Sequence, residues 1–371
     1  MKKLGFGLMR LPLTDENAAS SIDISKLCEM VDAFIENGFT YFDTAWMYHG
    51  GKSEDAVNEA LTKRYARESF TVTSKLPAYK IKSLEDRETV FCEQLRKTGL
   101  SFFDYYFLHN LNSESIETFE GFDCFDWLRE KKEAGYAKKI GFSFHDGPEF
   151  LDKVLTKYPF FDVVQLQINY LDWESAVQSR ACYEVARKHG KPVIVMEPVK
   201  GGTLANVPTE VEKLFKDYDA SMSVASWAIR FAASLDGVMT VLSGMSNMEQ
   251  LCDNMSYMKD FTPLTNEEIA LVQKATEIMN SSNAISCTGC EYCIVGCPQN
   301  IAIPKYFALY NADLGEYKKK KWTVESAYYE RLSTAFGKAS DCIACGQCES
   351  MCPQHLPIIE HLKEVADHFE K

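Results

Sequence analysis

Residues 4–43 read LGFGLMRLPLTDENAASSIDISKLCEMVDAFIENGFTYFD. A β-rich run comes first, at 4–8. A helix-like segment follows, in which Leu27, Val31, Phe34 and Ile35 recur with a 3.6-residue period. Gly38 stands just after it, where a helix end favours a left-handed residue. A second apolar run at 41–42 then meets the acidic Asp43. The same unit repeats along the chain. Further β-rich runs lie at 70–73, 105–108, 140–142, 163–168, 193–195 and 239–242, with helix-like stretches between them, one carrying Phe91 and Leu95. Gly99, Gly135 and Gly190 take the place that Gly38 holds in the first unit. Strands alternating with helices pair in parallel. Eight such units in under 300 residues fit a closed (β/α)8 TIM barrel, and no Gly-x-Gly-x-x-Gly of an open doubly wound sheet follows the first strand.

Beyond the last unit the pattern changes. Cys287-x2-Cys290-x2-Cys293-x3-Cys297-Pro298 is repeated as Cys342-x2-Cys345-x2-Cys348-x3-Cys352-Pro353, which takes eight of the thirteen cysteines. Three thiolates at this spacing hold three corners of a cubane, and the cysteine before proline reaches to the other cluster in two-cluster proteins. One [4Fe–4S] cluster is therefore expected on Cys287, Cys290, Cys293 and Cys352, and a second on Cys342, Cys345, Cys348 and Cys297. Zinc sites use two separated Cys-x2-Cys pairs or Cys/His mixtures instead. The expected architecture is α/β: the barrel over residues 1–280, then a small, mostly helical ferredoxin-like domain over 281–371. The 44 residues between the motifs carry Tyr306, Phe307, Tyr310, Tyr317, Tyr328, Tyr329 and Leu332 at helical spacing, suited to packing on the barrel or around the clusters. The basic run at 318–321 reads as a solvated loop, with docking of an acidic electron carrier as the alternative.

Composition narrows the function. A net charge of −13 argues against nucleic acid or an anionic membrane surface as partner. No apolar stretch approaches a membrane-spanning length, and the first residues lack the pattern of a signal peptide. A cytoplasmic location is expected, with Cys28, Cys92, Cys124, Cys182 and Cys252 as free buried thiols.

In a barrel of this kind, function collects where strands run into the loops that follow them. Asp43 follows the second strand, Lys75 the third and His109 the fourth. Ser143 and His145 follow the fifth, Gln165 to Asn169 run through the sixth, and Glu197 follows the seventh. Tyr48 joins Asp43, Lys75 and His109 in a proton-transfer set. A free tyrosine, with a pKa near ~10, is a poor acid at neutral pH. A nearby ammonium favours its phenolate. Asp43 would hold the charge on Lys75, and His109 could donate to a carbonyl oxygen that becomes an alkoxide.

The segments Asp43-Thr44-Ala45 with Tyr48 and Ser53-Glu54, Thr73-Ser74-Lys75, Leu108-His109-Asn110, Gly141-Phe142-Ser143, and Gly244-Met245-Ser246 with Asn254 resemble the aldo-keto reductase superfamily. They occur in the right order over residues 1–260. With the cysteine-rich tail, the chain resembles the iron–sulfur branch of that superfamily. The resemblance implies Tyr48 as general acid/base, Lys75 and Asp43 tuning it, His109 orienting a carbonyl or alcohol substrate, and hydride from NADPH or NADH. It places cofactor contacts at Ser143, Gln165, Asn169, Met196, Gly201, Gly202, Ser243, Gly244, Gln250 and Asn254.

Three positions depart from the superfamily pattern. Met196 stands where an aromatic usually stacks on nicotinamide. Phe144 replaces the asparagine of a Ser-Asn pair. Residues 243–254 hold no lysine or arginine to grip a 2′-phosphate, so NADPH should be favoured over NADH only weakly, and a flavin is an alternative cofactor. Cubanes pass single electrons whereas nicotinamide passes hydride. The chain therefore reads as an oxidoreductase whose barrel chemistry is linked to one-electron transfer, with a ferredoxin or flavoprotein carrier as partner. Other readings are a flavin-mediated reductase, an electron-transfer subunit whose barrel is a docking scaffold, and a reductase whose clusters are structural.

Overall fold

The computed structural model describes residues 2–15, 18–175, 177–281, 284, 285, 287, 289, 293, 294, 296–315, 323–352 and 356–371. Eight strands, β1 (Leu4–Gly7), β2 (Tyr41–Asp43), β3 (Thr71–Pro77), β4 (Phe103–Leu111), β5 (Ala137–Phe144), β6 (Val163–Gln167), β7 (Val193–Met196) and β8 (Val238–Ser243), close into one parallel barrel in sequence order. Its seam joins β1 to β8 through the pairs Leu4 with Val241 and Phe6 with Ser243. Bulky residues meet inside: Tyr41, Phe107, Val163, Ile194 and Leu242 form one buried cluster. Two glycines make room for them. A Cβ on Gly5 would lie 2.7 Å from Leu242 Cδ2, and one on Gly141 would lie 2.5 Å from the Val163 carbonyl oxygen.

The first helix, Ile24–Glu36, shows how sequence sets the outer layer. The Asp23 side chain accepts from the Lys26 amide at 3.1 Å and caps its start. Leu27, Met30, Val31 and Phe34 are buried against the barrel, and Gly38 ends the turn at φ +78°. Ile35 is only half-buried, so the fourth face position is Met30 rather than Ile35. Gly99, Gly135 and Gly190 also adopt left-handed backbone, at φ +69°, +82° and +66°.

All eight expected strands are present, and the main difference lies in their C-terminal ends. Lys75, His109 and Ser143, placed after strands by pattern, lie inside β3, β4 and β5. Polar residues normally weaken a strand reading. Here Lys75 is held by Asp43 on the neighbouring strand, and the Ser143 hydroxyl accepts from the Asn110 amide at the end of β4.

The chain divides into two compact units, 1–206 with 215–273, and 207–214 with 274–371. In the second unit the helices Ile303–Gly315, Val324–Ala335 and Ile358–Phe369 carry the buried Tyr306, Phe307, Leu309, Tyr329, Ile358, Leu362 and Val365. These share one core with Cys293 and Cys348, so the aromatic segment between the motifs packs around the cysteines. Tyr317 and the basic run at 318–321 lie outside the described residues. Of the five scattered cysteines, Cys124 and Cys182 are buried as expected; Cys28 is half-buried, and Cys92 and Cys252 are exposed. The last two sit on helix faces turned to solvent, which apolar context alone does not reveal. No helix among the described residues is long and apolar enough to cross a membrane.

Candidate active site and cluster module

The ends of β2, β3 and β4 bring the proton-transfer set together. The Lys75 ammonium, fully buried, donates to Asp43 Oδ1 at 2.5 Å and to the Thr44 carbonyl at 2.9 Å, and stands 3.4 Å from the Tyr48 hydroxyl oxygen. Tyr48 reaches it from the loop after β2, and its ring meets the His109 ring edge-on at 6.1 Å. Gln165 on β6 donates to the other Asp43 oxygen at 3.1 Å, so the carboxylate is held from both sides of the barrel.

The electrostatics follow from burial and one cation. Burial opposes the Lys75 charge, but Asp43 and the Tyr48 oxygen outweigh it, and the pKa lies above that of a free lysine. Burial pushes the Asp43 carboxyl up against the opposing pull of Lys75. Tyr48 departs from the expectation of a lowered pKa. Burial raises it, Lys75 pulls it down, and Asp43 and Glu197 push it up again, leaving it above the usual value. His109 is held well below the ordinary imidazole range, first by burial and then by Lys75 and His145. At neutral pH the ring is therefore uncharged and has one N–H to donate.

Behind Lys75 lies a brace that the sequence did not disclose. Glu54, fully buried, pairs with Lys97 at 2.9 Å and accepts from Ser74 at 2.7 Å and Gln94 at 2.6 Å. Gln94 also donates to the Lys75 carbonyl at 3.1 Å and accepts from Tyr106 at 2.5 Å. Only the Ser53-Glu54 pair stood out by pattern; Gln94 and Lys97 sit on the helix Leu84–Thr98, where polar residues ordinarily mark a solvated face.

The expected cofactor contacts divide. Met196 is half-buried, and Gly244 and Gln250 are exposed. Ser143 accepts from the Asn110 amide at 2.8 Å and so pins the left-handed residue that follows His109. Gln165 is committed to Asp43. Asn169 is fully buried: its amide donates to Asp172 at 2.7 Å and to the Glu197 carbonyl at 3.2 Å, while its oxygen accepts from the Asp172 amide. It braces two loops rather than facing open space. Ser243 accepts from Asn254 at 2.8 Å, and Asn254 in turn accepts from Tyr257 at 2.5 Å. Gln250 accepts from the Ser246 amide at 2.8 Å.

The Gly201-Gly202 turn is left-handed, but its amides are already occupied. Gly201 donates to the Glu197 carboxylate at 2.7 Å, and Gly202 to the Val199 carbonyl at 3.1 Å. Pattern reading also overlooked Asp172 and Lys200, a buried pair at 3.0 Å beneath this loop. A basic residue from another part of the chain packs against the segment 243–254. A Cβ on Gly244 would lie 3.2 Å from Cβ, Cγ and Cδ of Arg10, whose carbonyl accepts from the Ser246 hydroxyl at 3.0 Å. Arg10 comes from the loop after β1, about 230 residues away in sequence, so no local signal announced it.

In the second unit, Cys297, Cys342, Cys345 and Cys348 line one pocket together with Pro298, Gln299, Ile301, Ile303, Ile343, Ile359 and Leu362. No three His, Cys, Asp or Glu side chains among the described residues converge as ligands of a single ion would. Four sulfur donors around an apolar space fit a group with several metal corners. Of the other four cysteines of the two motifs, Cys293 is buried, Cys287 and Cys352 are half-buried, and Cys290 lies outside the described residues.

This geometry has counterparts. Residues 3–277 match the model of the Aldo/keto reductase family, and residues 286–356 match that of the 4Fe-4S dicluster domain. The chain belongs to the aldo/keto reductase family and is an oxidoreductase of its iron–sulfur branch. It is similar to the uncharacterized oxidoreductase YqkF of Bacillus subtilis, 23% identical over 309 residues that span 75% of this chain and 93% of that one. Among solved structures, the aldo-keto reductase AKR11C1 of Bacillus halodurans is 26% identical, with a TM-score of 0.56 over 74% of this chain and 91% of that one. A Klebsiella pneumoniae aldo-keto reductase in complex with NADPH shares the fold at 18% identity, with a TM-score of 0.58 over 73% and 90% of the two chains.

Proposed function

We propose that the barrel reduces a small-molecule carbonyl compound, and in reverse oxidises the alcohol, using NADPH or NADH at its mouth. Two [4Fe–4S] clusters in the module from residue 281 onward exchange single electrons with a ferredoxin or flavoprotein carrier. The observation that carries the reading is the Asp43–Lys75–Tyr48 line with the uncharged His109 ring beside Tyr48.

Bound nicotinamide would supply the hydride that forms the new C–H bond. The chain's own residues manage the oxygen. Tyr48 gives its proton to the carbonyl oxygen as negative charge develops there, and Lys75 stabilises the phenolate left behind. A raised pKa suits this direction, because Tyr48 stays protonated until substrate needs the proton. His109 donates to the same oxygen and orients it, and Asp43 keeps Lys75 charged and in place. The NADPH held by the Klebsiella relative supports a nicotinamide cofactor in the shared fold.

For the clusters, the pocket lined by four cysteines supports Cys342, Cys345, Cys348 and Cys297 as one ligand set. Cys287, Cys290, Cys293 and Cys352 form the other. Such clusters supply reversible one-electron storage.

The deciding experiment is anaerobic purification, an iron count and a nucleotide-dependent assay on aromatic aldehydes. About eight iron atoms per chain and carbonyl-dependent oxidation of NADPH or NADH are expected. Protein with full iron that oxidises neither nucleotide would refute the barrel chemistry.

A further inference from the structure

The loop after β7 is held in an unusual shape. Its backbone is left-handed at Glu197 (φ +54°), Lys200 (+47°), Gly201 (+64°) and Gly202 (+105°). Residues with side chains rarely adopt that conformation, so two within four positions mark a loop held against its local preference. Three contacts hold it. Lys200 is buried against Asp172, Asn169 donates to the Glu197 carbonyl, and the Glu197 carboxylate accepts the Gly201 N–H at 2.7 Å. An amide exposed by left-handed residues, after the seventh strand of a barrel, is the kind of donor that binds phosphoryl oxygens. In this chain a carboxylate of its own already fills that place.

We propose that Glu197 is a built-in competitor for the diphosphate of the dinucleotide and thereby sets nucleotide affinity. The inference rests on the nicotinamide reading above. Two anionic oxygens cannot both accept the Gly201 N–H without coming into contact, and like charges at that range repel strongly away from bulk water. Lys200, the cation within this loop, is paired with Asp172. A nucleotide must therefore turn the Glu197 side chain out of the loop before its diphosphate can reach the amide. The half-buried position of Glu197 leaves it room to turn without unfolding the barrel.

The test uses the full holoprotein, anaerobic calorimetry, and NADPH, NADH and ADP-ribose as probes. Glu197→Gln keeps the side-chain shape and an oxygen acceptor for the Gly201 amide but removes the charge. Glu197→Ser withdraws the carboxylate from the Gly201 amide. Both variants should bind all three probes at least tenfold more tightly than wild type, to a similar degree, because the diphosphate lies in the ADP-ribose portion that all three share. Unchanged or weaker binding in the two variants overturns the proposal. Tightening confined to NADPH also overturns it, since that would place the effect at the 2′-phosphate. If no probe binds wild type or variant while iron content and circular dichroism stay intact, the nucleotide reading itself falls and this competitor with it. Tightening without any gain in turnover still supports the proposal while the hydride-transfer reading fails separately.

Discussion

Replacing Lys75 by methionine isolates the cation on which the proton-transfer reading depends. Its ammonium lies 3.4 Å from the Tyr48 oxygen, and at an effective dielectric constant of about 20 two unit charges at that distance attract by ~5 kcal/mol. That corresponds to roughly three to four powers of ten in the phenolate equilibrium. Burial already holds Tyr48 above its usual pKa despite Lys75, so losing Lys75 removes the main influence favouring the phenolate. Since the proton is partly transferred at the transition state, the chemical step should slow by about 10²- to 10⁴-fold. Asp43 is left with Gln165 as its remaining side-chain partner, and breaking a buried pair costs about 3–5 kcal/mol. The double variant Lys75→Met with Asp43→Asn removes that unpaired charge, so it should regain stability but not rate. Anaerobic stopped-flow measurement of a single nucleotide turnover with an aromatic aldehyde reads the step directly, and thermal unfolding reads the stability. A single variant whose chemical step stays within tenfold of wild type would show that Lys75 is only a structural ion and would refute the reasoning.

Tyr48→Phe removes only the hydroxyl; carbonyl reduction should fall by about 10²- to 10⁴-fold, with nucleotide dissociation constants within a few-fold of wild type by calorimetry. Because Tyr48 must be protonated to reduce a carbonyl and its pKa is raised, the reduction rate should hold through pH 9 and decline only above about pH 10. The depressed His109 pKa should leave no break between about pH 6 and 8, and a pH–rate profile of the chemical step checks both limbs. Cys352→Ser should damage the cluster anchored by Cys287, Cys290 and Cys293, so electron paramagnetic resonance of the reduced variant should lose that signal; loss confined to the cluster on Cys342, Cys345 and Cys348 refutes crossed ligation. Arg10→Met should weaken NADPH by roughly 10- to 100-fold and spare NADH, the worth of one charge-assisted phosphate contact; equal weakening of both would place Arg10 elsewhere on the nucleotide.

The barrel was legible because its signal repeats. Apolar strand runs recur eight times with helix-like stretches between them, and the left-handed glycines at 38, 99, 135 and 190 are where the pattern put them. Asp43, Lys75 and His109 were legible because each is a polar residue in an apolar strand setting, and Tyr48 through its place five residues beyond Asp43. Contacts closed through space were not. Gln94 sits on a helix with no local signal of its role, Arg10 lies about 230 residues from the segment it packs against, and Gln165 reaches across the barrel to Asp43. A motif names the donor groups available, but not which of them are already used. Gly201, Asn169 and Ser143 were good nucleotide contacts by residue type, and each makes a bond within the protein.

Three ion pairs, Lys75–Asp43, Lys97–Glu54 and Lys200–Asp172, are the most deeply buried among the described residues, deeper than Arg230–Glu268. Stability does not account for them. Taking two charges out of water commonly costs as much as their attraction returns, and well-packed apolar residues often serve a fold equally well or better. All three act at or behind the strand ends that carry chemistry. Lys75–Asp43 faces Tyr48, Lys97–Glu54 fixes the strand bearing Lys75 through Ser74 and Gln94, and Lys200–Asp172 anchors the left-handed loop that holds Glu197. Each pair fixes a charge whose free counterpart would wander or neutralise in so dry a setting. The energy spent on burial is thus returned as position: an ammonium held 3.4 Å from a tyrosine hydroxyl, and a carboxylate held over the amide that a diphosphate would need.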